Sequence, residues 1–260
     1  MAPVLAFDIE TVPDIAGLRR LHGLDERLSD RDVAEFAFSR RRARTGQDFL
    51  PLHLHRVVAI ACALREGDNF RVWALGGAED SEDELIRRFF DGIEKYTPQL
   101  VSWNGGGFDL PVLHYRSLIH GVPAARYWDM GDDDRDFRYN NYINRYHTRH
   151  LDLMDLLALY QPRANAPLDD LARLCGFPGK LGLDGSQVWE AHLAGRIGEI
   201  RNYCETDVLN TYLLYLRHQL VRGAFDQSRY GRECDIVRGV LGKSKEGHWR
   251  EFLAAWRVGN

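Results

Sequence analysis

Two carboxylates one residue apart follow a short apolar run near the start of the chain. Asp8 and Glu10 come directly after residues 4–7 (VLAF) and precede Thr11. In a β-strand, residues i and i+2 point to the same face, so both carboxylates should project together from the carboxyl end of a strand. Two carboxylates held that close repel each other. A cation such as Mg²⁺ or Mn²⁺, which prefers oxygen ligands, would relieve this repulsion. The alternative is an acidic turn that is open to solvent.

A second group of polar residues follows another predicted strand. The segment 104–109 (NGGGFD) comes after a short strand that ends at Trp103, and Asp109 opens a predicted helix. A carboxylate in a first helical turn is favoured by the helix dipole, so Asp109 is either a metal ligand or a helix-start residue. The three glycines are ordinary turn chemistry and only a weak signal for phosphate binding.

The third candidate pair lies on a later helix, predicted over residues 197–220. Tyr203 and Asp207 are four residues apart and therefore share one face of that helix. The same helix carries apolar residues that should be buried, and a buried aspartate is costly without a partner. Either a metal ion or an arginine could be that partner.

Together, these three segments resemble the motifs of the DEDD 3′–5′ exonuclease superfamily. Tyr203 is similar to the tyrosine of the DEDDy subset, which includes the proofreading domains of family B DNA polymerases. Residues 3 to about 223 also look like a bacterial family of stand-alone predicted 3′–5′ exonucleases related to that domain. The segments 142–156, 176–180 (GFPGK) and 184–185 (DG) carry this wider resemblance.

The resemblance implies a ribonuclease H-like fold and a two-metal site. Asp8, Glu10, Asp109 and Asp207 would hold two divalent ions, Mg²⁺ or Mn²⁺, which can stabilise both the attacking and the leaving oxygen. Tyr203 would orient the attacking water, because its ordinary pKa of about 10 makes it a poor base.

The resemblance also implies a substrate and contacts to it. Thr11 and Phe108 would contact the terminal nucleotide, and Asn104 would contact the substrate backbone. The expected reaction releases nucleoside 5′-monophosphates from the 3′ end of single-stranded DNA. An exoribonuclease with the same site stays open, because these motifs do not contact the 2′-hydroxyl. A non-catalytic nucleic-acid-binding module is another alternative, although such a module should have lost a carboxylate.

The order of predicted elements is typical of an α/β protein with a mixed sheet of about five strands. Residues 1–260 are interpreted as a single exonuclease domain that includes a charged helical insertion at 14–50 and a helical tail at 224–260. The first three strands should be antiparallel. Strands are predicted at 1–8, 57–64, 70–75, 99–103 and 150–153, and helices at 81–96, 109–120, 154–160, 168–175, 186–194 and 197–220, with two more in the tail.

The amino-acid composition limits which binding partners and which cellular compartment we expect for this chain. The chain has 34 basic and 38 acidic residues, so bulk charge does not hold it on nucleic acid, although a local basic groove is compatible with this balance. The four cysteines are far apart and form no zinc pattern, which is typical of reduced thiols in a cytoplasmic protein. We find no signal-peptide pattern and no membrane-spanning segment, and expect no membrane partner. The oligomeric state does not follow from the sequence.

Several further segments have two interpretations. The basic run 40–44 is either a solvated face or a nucleic-acid contact. Tyrosines and arginines alternate over 135–150, where they could stack on bases or pin a loop to the core. Lys180 could bind a phosphate or lie on a surface loop. Of Asp152 and Asp155, one could support the site and the other cap a helix. The histidines at 53, 55, 147 and 150 are expected to pack.

Overall fold

The computed structural model describes residues 3–257. Residues 1–2 of the first predicted strand and residues 258–260 of the predicted tail lie outside this range. Within it the elements are β1 (Val4–Pro13), α1 (Ile15–His22), α2 (Asp30–Thr45), β2 (His55–Glu66), β3 (Asn69–Ala74), α3 (Glu82–Tyr96), β4 (Gln99–Ser102), α4 (Asp109–His120), α5 (Ala125–Trp128), β5 (His150–Asp152), α6 (Leu153–Leu157), α7 (Leu168–Leu174), α8 (Val188–Leu193), α9 (Ile197–Val221), α10 (Gln227–Leu241) and α11 (Gly247–Ala255).

The five strands form one mixed sheet in the order β3-β2-β1-β4-β5. β1 pairs antiparallel with β2, and β2 pairs antiparallel with β3, as the sequence predicts. β1 pairs in parallel with β4, and β4 with β5. The predicted α/β class with a mixed five-stranded sheet is confirmed, and the fold is ribonuclease H-like. β1 is the central strand, so its side chains are covered on both faces.

The end of β1 differs from the prediction. We expected the strand to stop at residue 8, but it continues to Pro13, because β2 is long enough to pair with it throughout. The register shifts between Glu10 and Thr11, where a β-bulge interrupts the ladder. Pairing with β4 stops at Ala6. Asp8 and Glu10 therefore project from the middle of a strand, at an edge that β4 leaves open.

The two faces of the sheet pack against different helices. α9 covers the face to which Ala6, Asp8 and Glu10 point, and α3 and α4 cover the other face. Facing residues of β2 on the α9 side include Ala59 and Ala61, which are fully buried. Such small side chains let the backbone of a helix approach a sheet closely. The fold thereby brings α9 within reach of the two carboxylates of β1.

Within 14–50 and 224–257 the structure has the helices α1, α2, α10 and α11. α1 and α2 share a small apolar core that contains Leu18 and Val33. α10 and α11 pack against α9, which explains why α9 is buried on most of its circumference. The predicted helix 154–160 is shorter, since Leu159 and Tyr160 have left-handed φ angles of 51° and 59°. None of the helices within residues 3–257 is long and apolar enough to cross a membrane.

Candidate active site

Asp8 and Glu10 form the centre of a compact acidic group on β1. One carboxylate oxygen of each and the sulfur of Cys204 all lie within 4.8 Å of one another. The Cys204 thiol donates to the Asp8 backbone carbonyl at 3.3 Å and to Asp8 Oδ2 at 3.5 Å. The hydrogen bond to Oδ2 holds the side chain of Asp8, a role that the cysteine spacing did not indicate. The position of Cys204 beside Tyr203 was the one signal in the sequence.

Asp109 joins this group from the first turn of α4. Its Oδ1 accepts a hydrogen bond of 3.1 Å from the backbone N–H of Ile9, and only 4% of the residue is exposed. Beyond Ala6, β1 has no pairing to β4 within the described residues, so Asp109 supplies an acceptor at this open edge. The hydrogen bond joins the second motif to the first, and the three-glycine turn must deliver Asp109 to this point.

The geometry of that turn depends on Asp152. Its carboxylate accepts the backbone N–H groups of Asn104 and Gly106, and it also caps α6. Gly105 is required here, because a Cβ atom would lie 2.3 Å from Ser102 Oγ. Asp155 is not the cap; it forms an ion pair with an exposed arginine, Arg145.

Asp207 and Tyr203 approach the group from α9. Both are buried, with 5% and 3% of their surfaces exposed. The Lys180 ammonium lies 3.8 Å from Asp207 Oδ2 and 5.3 Å from the centroid of the Tyr203 ring. Asp207 Oδ1 is buried and has no hydrogen-bond partner within the described residues. Lys180 is therefore part of the site rather than a residue of a remote surface loop.

The electrostatics of the group are unfavourable without a cation. Burial raises the pKa of Asp8 well above its usual value, and the neighbouring carboxylates of Asp109, Glu10 and Asp207 raise it further. The pKa of Glu10 is also raised well above its usual value, first by burial and then by Asp207. Burial raises the pKa of Asp109 to about 7 and that of Asp207 to about 6, where Lys180 partly offsets the effect. One lysine cannot neutralise four carboxylates.

This set of groups fits divalent metal ions. Carboxylate oxygens are the ligands that Mg²⁺ and Mn²⁺ prefer, and the unpartnered Asp207 Oδ1 is a free donor atom. The pKa of the Cys204 thiol is raised well above its usual value, first by burial and then by the charge of Asp8. Cys204 is thus a neutral hydrogen-bond donor, and the ligands left for a metal are oxygens.

A cleft of about 820 Å³ opens beside the carboxylates. Asp8, Asp207, Asn104 and Lys180 line it together with residues of the loops before α7 and α8. Of the three predicted substrate contacts, only Asn104 lines this cleft. Its backbone is left-handed, with φ of 67°, which lets its carbonyl accept the N–H groups of the next turn.

Thr11 and Phe108 lie together elsewhere at the same edge. Thr11 Oγ1 lies 2.8 Å from Nδ1 of His55, and the ring of Phe108 packs edge-on against His55 with centroids 5.3 Å apart. The sequence indicated only packing for His55, and its contact with Thr11 had no local signal. The structure thus brings the five predicted catalytic residues into one group and places Thr11 and Phe108 beside it.

The chain is similar to known proteins over most of its length. Residues 47–256 match the model of a family described as "Predicted 3'-5' exonuclease related to the exonuclease domain of PolB". The chain belongs to this family. A stretch of 67 residues is also 39% identical to DNA polymerase 1 of Sulfurisphaera ohwakuensis. That stretch is 25% of this chain and 8% of the polymerase, so the likeness is to a small part of that protein.

The arginine- and tyrosine-rich segment of this predicted exonuclease divides between its two interpretations. Phe137 and Tyr142 are fully buried, and Tyr142 donates to the carbonyl of Pro98, so they pin the loop to the core. Tyr139 and Tyr146 remain exposed. The pinning interpretation therefore holds for the centre of the segment, and base stacking stays a prediction for the two exposed tyrosines.

Proposed function

We propose that this chain is a metal-dependent 3′–5′ exonuclease that removes nucleoside 5′-monophosphates from single-stranded DNA. The observation that carries the proposal is the convergence of the half-buried Asp8, three buried carboxylates and a buried tyrosine from three distant segments. The family comparison supports a nuclease of the 3′–5′ exonuclease kind. The cytoplasm fits the four free thiols within the described residues, and we propose that compartment too.

The carboxylates of Asp8, Glu10, Asp109 and Asp207 would hold two divalent ions, Mg²⁺ or Mn²⁺. Such ions, when bound, supply Lewis acidity to the phosphate and an acidified water as nucleophile. The protein contributes rigidity, because Asp8 is fixed by the Cys204 thiol and Asp109 by the N–H of Ile9. These contacts keep the carboxylate oxygens in place before substrate arrives, which lowers the reorganisation that the reaction requires.

Tyr203 and Lys180 would contact the attacking water and the scissile phosphate, respectively. Burial and the adjacent carboxylates raise the pKa of the Tyr203 phenol, so it stays protonated and cannot act as a base. Its hydroxyl therefore holds the attacking water by a hydrogen bond. Lys180 lines the cleft beside Asp207, and among the residues that line the cleft it is the one with a positive charge, so it would contact the scissile phosphate. Asn104 would contact the substrate backbone in the same cleft.

The rival functions differ in how well the site supports them. A non-catalytic binding module has no need for four closely spaced carboxylates, three of them buried, which destabilise the fold when no cation is bound. An exoribonuclease would use the same residues. Because no contact among the described residues identifies a 2′-hydroxyl subsite, DNA and RNA must be compared directly.

The test is digestion of matched 5′-labelled DNA and RNA oligonucleotides in Mg²⁺ or Mn²⁺. We expect a ladder of products shortened from the 3′ end, with DNA degraded faster, and no ladder in EDTA or with Asp8→Asn. A 3′-phosphate-blocked oligonucleotide is the control for the direction of attack. Internal cleavage products, or an unchanged rate in EDTA, would overturn the proposal.

A further inference from the structure

An exposed aromatic side chain lies beside the site and has no role in the chemistry proposed above. Phe49 follows α2 at the end of the helical insertion, and 55% of it is exposed. Its ring centroid lies 5.8 Å from that of Phe108, the residue before Asp109, and 5.1 Å from that of His55. A single exposed apolar residue is ordinary on a protein surface, so its meaning depends on its surroundings.

A chain of hydrogen bonds fixes this aromatic group relative to β1. His55 Nε2 lies 3.2 Å from the carbonyl of Leu50 and donates to it. Burial lowers the pKa of His55, so the ring is neutral, and Nδ1 is left to accept a hydrogen bond from the Thr11 hydroxyl. Thr11 directly follows Glu10. The position of the Phe49 ring is thus tied, through His55, to the strand that carries the carboxylates.

Arginines of α2 border the same group. The Arg41 side chain donates from Nε to the carbonyl of Phe49 at 2.9 Å, which holds the backbone at this point. Arg40 and Arg44 are exposed and form no hydrogen bond or ion pair within residues 3–257, whereas Arg42 pairs with two carboxylates. Being four residues apart, Arg40 and Arg44 lie on one face of the helix. An uncompensated basic face therefore lies on the helix whose Arg41 contacts the backbone of Phe49.

Exposed aromatic rings beside unpaired arginines are the combination by which proteins hold single-stranded nucleic acid. We propose that Phe49, Phe108, Arg40 and Arg44 form a surface, the Phe49 surface, that holds the 3′ end of a DNA single strand. Phe49 stacks on one of the last two bases, and the two arginines contact backbone phosphates. This inference rests on the proposed function and gives the helical insertion a role in substrate binding. A base must leave its neighbours to stack on Phe49, so the surface favours unpaired ends.

The first test measures binding without cleavage. Anisotropy of a 5′-fluorescent 12-nucleotide DNA strand is recorded with Ca²⁺ in place of Mg²⁺, for wild type, Phe49→Ala and Phe36→Ala. Phe36 is the matched control, because it lies on α2, is 37% exposed and contacts His22 instead. Loss of one stacked base should raise the Kd about 5- to 150-fold for Phe49→Ala. The control should stay close to wild type, and equal melting temperatures show that both variants fold.

The second test asks whether the effect acts through a base. The DNA carries an abasic site at the first, second or fifth position from the 3′ end. With the abasic site at whichever of the first two positions carries the stacked base, wild type and Phe49→Ala should bind equally well. At the fifth position the full difference should remain. An equal Kd on intact DNA, or an undiminished difference on all three abasic strands, would overturn the proposal.

The third test concerns the arginines. Each phosphate contact to a single strand contributes about 0.7 to the slope of log Kd against log salt concentration. The double variant Arg40→Gln/Arg44→Gln should lower this slope by about 1.4. Arg232→Gln on α10 is the control and should leave the slope unchanged, because Arg232 lies far from the site. Its neighbour Glu233 forms an ion pair with Arg65, and Arg65 pairs with Val4 at the opposite end of β1. An unchanged slope in the double variant would refute the phosphate contacts.

The two proposals fail in different ways. If wild type degrades DNA and Phe49→Ala binds it equally well, the Phe49 surface is refuted and the exonuclease proposal stands. If wild type binds the strand through Phe49 but releases no mononucleotide in Mg²⁺ or Mn²⁺, the exonuclease proposal is refuted and the surface stands.

Discussion

The four closely spaced carboxylates should make the stability of the metal-free protein depend on pH. A carboxyl whose pKa is raised on folding binds its proton more tightly in the native state than in the unfolded state. The free energy of unfolding is therefore undiminished below about pH 4, the pKa of the carboxyl in the unfolded chain. It falls as the pH rises from there through the pKa of the same carboxyl in the folded protein. For Asp109 and Asp207 the folded values are about 7 and about 6. The loss should fall between about pH 4 and pH 7.

The size of this loss of stability can be calculated for Asp109. Raising its pKa from 3.8 to about 7 costs the native state about 4 kcal/mol above neutral pH. Since pH 5 already lies above the unfolded pKa, about 1.7 kcal/mol of this cost applies there, and roughly 2.6 kcal/mol separates pH 5 from pH 8. At roughly 2–4 °C per kcal/mol for a chain of this size, the melting temperatures at these two pH values should differ by about 5–10 °C. The assay is thermal melting followed by circular dichroism, in EDTA, at pH 5 and pH 8. Addition of Mn²⁺ should restore stability mainly at pH 8, because a cation binds the ionised carboxylates.

Asp109→Asn isolates the effect from other titrating groups. Asparagine keeps an Oδ1 acceptor for the N–H of Ile9 and removes the ionisable group. In EDTA this variant should melt above wild type, and the difference should be larger at pH 8 than at pH 5. If wild type and Asp109→Asn lose stability equally between pH 5 and pH 8, the carboxylate group is not the source. Equal stabilisation by Mn²⁺ at both pH values would refute the reasoning as well.

Three substitutions should separate the roles within the site. Asp207→Asn should abolish mononucleotide release by several orders of magnitude, measured by the 5′-label assay, and near-normal activity would show that Asp207 holds no metal. Tyr203→Phe should lower kcat about 10- to 1000-fold while the Mn²⁺-induced rise in melting temperature stays unchanged, because the phenol positions water. A lost Mn²⁺ effect would contradict that role. Lys180→Ala should weaken turnover about 10- to 100-fold, more than Lys243→Ala in the tail; equal rates would remove Lys180 from the site.

Local spacing accounts for the part of the site that the sequence could predict. Alternation along a strand places Asp8 and Glu10 on one face, and a helical turn places Tyr203 beside Asp207. Neither periodicity shows that Asp109 meets Ile9, one hundred residues away in the chain. That contact depends on the parallel pairing of β4 with β1, which is a feature of the tertiary structure and not of the local sequence. Only the resemblance of all three motifs to one superfamily anticipated the convergence.

The features that were missed share a physical cause. β1 extends to Pro13 because β2 supplies partners for it, and no residue of β1 itself signals that length. The contact of Thr11 with His55 depends on the shift of register after Glu10. Phe49 lies beside the site because its ring contacts that of Phe108, which lies 59 positions later in the chain. In each case the deciding partner is remote in sequence, where local pattern carries no information.

The position of the carboxylates on β1 explains how the fold can hold them at all. β4 stops pairing at Ala6, so Asp8 and Glu10 lie where the sheet is open on one side. Small alanines on the adjoining face let α9 bring Asp207 to them, and the glycine turn brings Asp109. The same closeness that would suit a metal site creates the repulsion that destabilises the metal-free protein. Asp109→Asn should therefore be both more stable at pH 8 in EDTA and less active in Mn²⁺ than wild type. A stability gain without loss of activity would mean that the repulsion serves no catalytic purpose.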